Sequence, residues 1–283
     1  MTRATGFLHD SDERLGAYPR HHELLAAGDA LLSEPYHVPF RAGRVYQGTV
    51  SQCVGSSLKR CVQLWQAVRG ERGAPISDLA AYAIGRAQAN RGYTPELAPP
   101  LLDVGSRPAD VLTGARAVGL VLEADWPGAA SDGWPSDPSD VDARVAEQPG
   151  PDQLASAYDA RGLEFAIVDT GNGWEEAVDD CLRSGFSIMA PINSTGIAKQ
   201  DPGFSVVQSL PSTGHDHMIT ILGRERSSDP YVVDNWWDDP SGPFGAQTSD
   251  ATLQGTWRAT AAALRSGCAY LYAVRGVPPM VRP

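Results

Sequence analysis

Apolar residues recur at helical spacing between residues 54 and 69. Val54, Leu58, Cys61, Val62, Trp65 and Val68 form one stripe, which predicts an amphipathic helix beginning just after Ser51-Gln52-Cys53. Gly70 and Gly73 are its expected stop. A second helix is expected from Ser77, read as its N-cap, through Asn90, with Asp78 in the first turn. A third follows Ser106, also read as a cap, with Pro108 in the first turn and Gly119 at its end. Beyond residue 150 the pattern changes. Residues 163–169, 186–192, 217–222, 231–234 and 268–274 are short strand-like runs. Residues 175–184, acidic at the start and followed by Gly185, read as a helix between the first two. Helices first and strands later is an α+β pattern.

Residues 1–43 are polar, with Pro19, Pro35 and Pro39, and read as an N-terminal arm with one short helix near 22–32. Residues 127–152 are rich in Pro, Gly, Ser and Asp; they read as a surface loop and the boundary between two lobes. Of 283 residues, 42% are hydrophobic and 20% charged, which excludes a disordered or collagen-like chain. No apolar run approaches the ~18 residues of a membrane span. Lys and Arg total 23 against 34 Asp and Glu, a net charge of −11. Such a surface repels phosphate backbones and anionic lipid, so neither nucleic acid nor membrane is an expected partner. Only Lys59 and Lys199 are lysines, a bias typical of GC-rich genomes such as those of actinobacteria and their phages. The first residues hold no apolar secretory core, so a cytoplasmic location is the default, with association with a virion left open.

Three segments carry candidate chemistry. The first runs from Gln47 to Ser57 and holds Cys53, where a helix terminus favours a thiolate. A small buried core residue is the alternative. Cys61, Cys181 and Cys268 sit in apolar patterns and read as packing. The second segment is Gly214-His215-Asp216-His217, ahead of an apolar run. A His there can take a thiol proton and return it to a leaving amine, or serve as a hydrogen-bonded structural residue. No Cys/His cluster completes a metal site. The third is Asp234-Asn235-Trp236-Trp237, where the Asn can accept from a His ring or simply occupy a turn beside aromatics.

Taken in order, these segments resemble the papain-like cysteine peptidases. Gln47 stands six residues before Cys53, as that family spaces its oxyanion-hole Gln and nucleophile. His217 stands six residues before Gly223, and Asn235 two before Trp237, similar to the family's His-strand-Gly and Asn-Ser-Trp patterns. This register selects His217 over His215. Gly6-Phe7-Leu8 with Asp10 and Asp12, Gly105-Ser106 and the helix after it, and Gly119 with Ala124-Asp125-Trp126-Pro127 are similar to segments of bacterial members. Val54, Trp236 and the Asp238-Asp239-Pro240 that follows Trp237 depart from the common pattern, which alters the rim near Asn235. No long pro-region precedes Gln47.

The resemblance implies an α+β fold with a helical lobe (about 44–130), an antiparallel barrel-like β lobe (about 150–280), and a cleft between them, together forming one domain over 44–280. It implies a cysteine-type peptidase acting on a peptide or protein without cofactor or metal. Cys53 is then the nucleophile, His217 the general base and acid, Asn235 its orienting partner, Gln47 an oxyanion donor, and Trp237 a substrate-binding residue. A structural or binding protein on the same fold, such as a virion component, is the competing reading; an amidase or transpeptidase using the same thiol is another. Oligomeric state and side-chain specificity are not readable from these residues.

Overall fold

The computed structural model describes residues 7–25, 47, 50–69, 75–89, 102–128, 134–135, 137–168, 171–195, 206–224, 226–235 and 256–276. Nine helices lie among them: α1 (Asp12–Gly16), α2 (His21–Leu25), α3 (Cys53–Val68), α4 (Asp78–Ala89), α5 (Pro108–Val118), α6 (Pro138–Ala146), α7 (Pro151–Ala155), α8 (Trp174–Arg183) and α9 (Ala261–Gly267). Seven strands form one sheet: β1 (Glu164–Val168), β2 (Ser187–Ile192), β3 (Val206–Val207), β4 (His217–Gly223), β5 (Tyr231–Asp234), β6 (Thr256–Ala259) and β7 (Leu271–Arg275), in the order β1-β7-β2-β4-β5-β6-β3. The architecture is α+β as expected. The sheet is open and mixed, not a closed antiparallel barrel: β3 pairs with β6 in parallel, and β1 and β3 are its outer strands.

The helical stripe of α3 is buried as its spacing predicts, with Val54, Leu58, Cys61, Val62 and Trp65 inside. Ser77 caps α4, accepting from Ala80 N at 3.0 Å. Ser106 does not cap α5. Arg107 holds the N-cap position, Ser106 bridges to Phe7, and the carboxylate of Asp10 accepts from Ala109 N at 3.2 Å. Gly119 ends α5 at φ +97°, a conformation that excludes most side chains. The 127–152 stretch is not simply a loop: Asp137 caps α6, and Pro138 and Pro151 open α6 and α7. The first segment is described only over residues 7–25. Ser11 caps α1, α2 follows, and Phe7 and Leu15 are buried. The remainder of the expected 22–32 helix, with Gly70 and Gly73, lies outside the described residues.

Strand alternation divides the core. Phe165, Met189, Met218, Tyr272 and Val274 pack with α3 and α5. Ile188, Ala190, Ile219, Ile221, Leu271 and Ala273 pack with Trp174, Val178 and Leu182 of α8 and Leu264 of α9. Both faces of the sheet are therefore covered, which is why β2 and β4 read as near-continuous apolar runs. Among the described residues no helix is long and apolar enough to cross a membrane.

Candidate active site

Cys53 is the first residue of α3 and His217 the first residue of β4. The helix and the strand are locked side by side. Ser57 Oγ lies 3.2 Å from the Ile219 carbonyl and 2.7 Å from Thr220 Oγ1. Further along, Leu64 packs against Leu222 and Val232. Rising numbers on α3 meet rising numbers on β4, so the two run in the same direction. Their first residues stand at one end of the assembly, and Met218 shares the apolar cluster that contains Cys53.

His217 Nε2 lies 2.7 Å from Asn235 Oδ1. An amide oxygen only accepts, so Nε2 carries the proton and donates, which leaves Nδ1 as the other ring nitrogen for exchange. His215 is placed differently. Its Nε2 donates to the Gly267 carbonyl at 3.0 Å, and its ring meets His9 edge-on at 5.3 Å. Burial, then the facing His9, lower its pKa from the usual 6.5.

Gln47 Nε2 donates to the Val50 carbonyl at 2.9 Å, which folds the approach to α3 back on itself. Asp103 accepts from Ser51 N at 3.0 Å and from Tyr82 Oη at 2.7 Å. The residue before the cysteine is gripped from α4: Gln52 Nε2 donates to Asp78 Oδ2 at 3.2 Å, and Ser56 Oγ to the same atom at 3.0 Å. Lys59 neutralises that carboxylate from 3.9 Å while donating to Glu123 at 2.8 Å. Burial pushes the Asp78 pKa up, opposed by Lys59.

Gln47, Cys53 and His217 are fully buried and Asn235 is 5% exposed, so this arrangement is closed to solvent. Cys53 belongs to the apolar cluster that joins α3 and α5 to one face of the sheet, as well as standing at a helix terminus. The other three cysteines stand apart from the terminus. Burial pushes the thiols of Cys61, Cys181 and Cys268 up to about 12. Trp237 lies outside the described residues. Among the described residues, no cluster of His, Cys, Asp or Glu is arranged to hold a metal ion.

Sequence reading overlooked the supports. Ser57 and Arg60 lie four and seven residues after Cys53, hence on its helix face. A hydroxyl and a charge on a face otherwise continuing to Leu64 were the available signal.

No protein-family model matches the chain, and no curated protein matches it in sequence. Solved structures do. Xylellain, a cysteine protease from Xylella fastidiosa, superposes with a TM-score of 0.63 over 98% of both chains at 15% identity. A digestive procathepsin L2 proteinase from Tenebrio molitor larval midgut superposes at 0.57, with 14% identity over 96% of this chain and 78% of that one. The cysteine protease and lectin-like domains of Cwp84, a surface layer associated protein of Clostridium difficile, superpose at 0.55 with 14% identity, over 90% of this chain and 54% of that one. At such identities the likeness concerns architecture: the chain has a papain-like fold.

Proposed function

We propose that this protein is a cysteine-type peptidase that hydrolyses peptide bonds through a thioester, with Cys53 as nucleophile and His217 as general base and acid. The observation that carries the reading is the 2.7 Å bond from His217 Nε2 to Asn235 Oδ1, made at the end of the sheet where α3 begins. The papain-like fold, shared with cysteine proteases, supports it.

The chemistry follows from the residues. An imidazolium beside the sulfur and the α3 terminus both favour thiolate over thiol, against the burial that opposes it. The Cys53 thiolate attacks the scissile carbonyl carbon, and the oxyanion is met by the Cys53 backbone N–H and the Gln47 side-chain amide. One Gln47 amide proton is engaged by Val50; the reading assigns the second to the oxyanion. The tetrahedral adduct expels the amine as His217 gives it a proton, leaving an acyl thioester and a neutral imidazole. Water then loses a proton to His217 and attacks the thioester, and the C–S bond breaks to restore thiolate and imidazolium. Asn235 keeps Nε2 protonated throughout, so Nδ1 handles every exchanged proton. Because the four residues are buried, a substrate reaches the sulfur only after an opening step. The 44–280 segment is the proposed catalytic domain, and Trp237, two residues beyond Asn235, is proposed to contact the substrate.

The test is hydrolysis of fluorescein-labelled casein by the wild-type chain and by Cys53→Ala. The variant is expected to keep the circular-dichroism spectrum and thermal midpoint while losing all cleavage. Wild-type turnover in Cys53→Ala ends the reading.

A further inference from the structure

We propose that the buried ion pair between Arg60 of α3 and Asp234 at the end of β5 is a positioning device: it fixes Asn235, and through Asn235 the ring of His217. The inference rests on the peptidase reading and adds residues to it that touch neither substrate nor sulfur.

The pair is made by Arg60 Nε and Asp234 Oδ2, and both residues are buried, at 7% and 4% exposure. The carboxylate also accepts from the backbone N–H of Asn235. Arg60 Nη1 is steadied by Gln63 Oε1 at 3.1 Å. One carboxylate thus binds a guanidinium carried on the nucleophile's helix and the main chain of the residue whose side chain holds the imidazole. Desolvating two charges is a weak source of stability, and a well-packed apolar pair commonly does as well or better. What apolar packing lacks is direction. The attraction between the two charges ties α3 to the end of β5 at one named contact.

The placement explains why direction matters. Seven residues on a helix turn about 700°, so Arg60 lies on the same face as Cys53, two turns along. The chain of contacts runs from Cys53 along α3 to Arg60, across to Asp234, to Asn235, and to His217 at 2.7 Å. Ser57 makes a shorter cross-link from the same face to Ile219 and Thr220 of β4. Thiol and imidazole come from different elements, and these two struts set their relative position. A misplacement of about 1 Å is enough to cost roughly a hundredfold in rate.

The experiment compares wild type, Arg60→Met, Arg60→Lys and the neutral double variant Arg60→Met/Asp234→Asn. Initial rates are measured on fluorescein-labelled casein; the ¹⁵N-histidine spectrum is recorded at about pH 8 with Cys53→Ala added to each protein, where no thiolate holds the ring as imidazolium, and His217 is assigned from His217→Gln. Arg60→Met is expected to lower kcat about tenfold or more with KM within about twofold, and to move His217 from a single Nε2–H tautomer to a mixture. Arg60→Lys is expected to restore much of both. The double variant, which relieves the uncompensated buried charge, is expected to fold and to show the same defect as Arg60→Met; it decides the matter should Arg60→Met fail to fold. A folded Arg60→Met or double variant with wild-type kcat and an unchanged His217 spectrum overturns the proposal. So does a rate loss with that spectrum unchanged. If wild type leaves casein intact, the peptidase reading falls, and the spectrum still decides whether the pair positions the ring.

Discussion

The four cysteines share one side-chain chemistry and differ in surroundings. Cys61 has the Thr220 and Ser187 hydroxyls and Arg60 near it, all favouring the thiolate, yet burial dominates and pushes it up to about 12. Cys181 and Cys268 are also pushed up to about 12, by burial without comparable help. At pH 8 each is held as the neutral thiol. Cys53 alone stands at the start of a long helix, the position that sequence spacing pointed to. Iodoacetamide at about pH 8 is therefore expected to alkylate Cys53 faster than the other three, with all four reacting once the chain is denatured. Peptide mass spectrometry after timed quenching reads this directly. Equal or slower labelling at Cys53 would contradict an activated thiol there. The residues around the thiol were less legible than the thiol itself. Gln52, Asp78 and Lys59 make one buried network, but nothing local in the sequence announces that a carboxylate and an ammonium on neighbouring helices are inside.

Helix spacing made α3 readable, because its stripe repeats over four turns. The strands β1, β2, β4, β5 and β7 were readable as apolar runs, within a few residues at each end. What failed was whatever depended on short or distant signals. α6 and α7 are short and sit in a composition that reads as loop; the Asp-Pro at 137–138 was the cue. α9 is an Ala-rich turn capped by Thr260, with Ala263 N donating to its hydroxyl at 3.1 Å. The cap of α5 comes from Asp10, 99 residues away, which no local rule finds. Helix-to-helix approach was equally hidden. A Cβ on Gly55 would strike the Asp78 carbonyl oxygen and lie 3.1 Å from Tyr82 N, both backbone atoms that cannot swing aside. Gly55→Ala is therefore expected to push α4 off α3 despite the better helix propensity of Ala. The expected loss is about 1–3 kcal/mol, read as a lowered urea midpoint at unchanged m-value. A neutral or stabilising effect would mean that the two helices are not held at this distance.

Over the whole molecule, the first described segment joins the helices to the sheet. Phe7 N donates to the Asp216 carbonyl at 3.3 Å and Leu8 N to the Ser106 carbonyl at 3.0 Å, while Asp10 accepts from Tyr272 Oη at 2.7 Å and receives Arg14 at 3.5 Å. His9 and His215 meet within this seam, against Tyr270, with Asp216 alongside and Arg107 Nε donating to the His9 carbonyl at 3.0 Å. The seam carries a pH dependence whose sign can be worked out. Burial and the facing His9 lower the His215 pKa, while Gly267 and Asp216 only partly oppose them. The neutral ring is therefore the form the fold favours. As pH falls through about 6.5, the unfolded chain takes up a proton at this site that the folded chain resists, and stability is lost on acidification. The thermal midpoint of wild type is expected to fall between about pH 7.5 and about pH 5.5. His215→Gln, which keeps a donor for the Gly267 carbonyl but cannot titrate, should show a shallower fall. Parallel curves for the two proteins would show that the seam opens, or stays shut, independently of this ring.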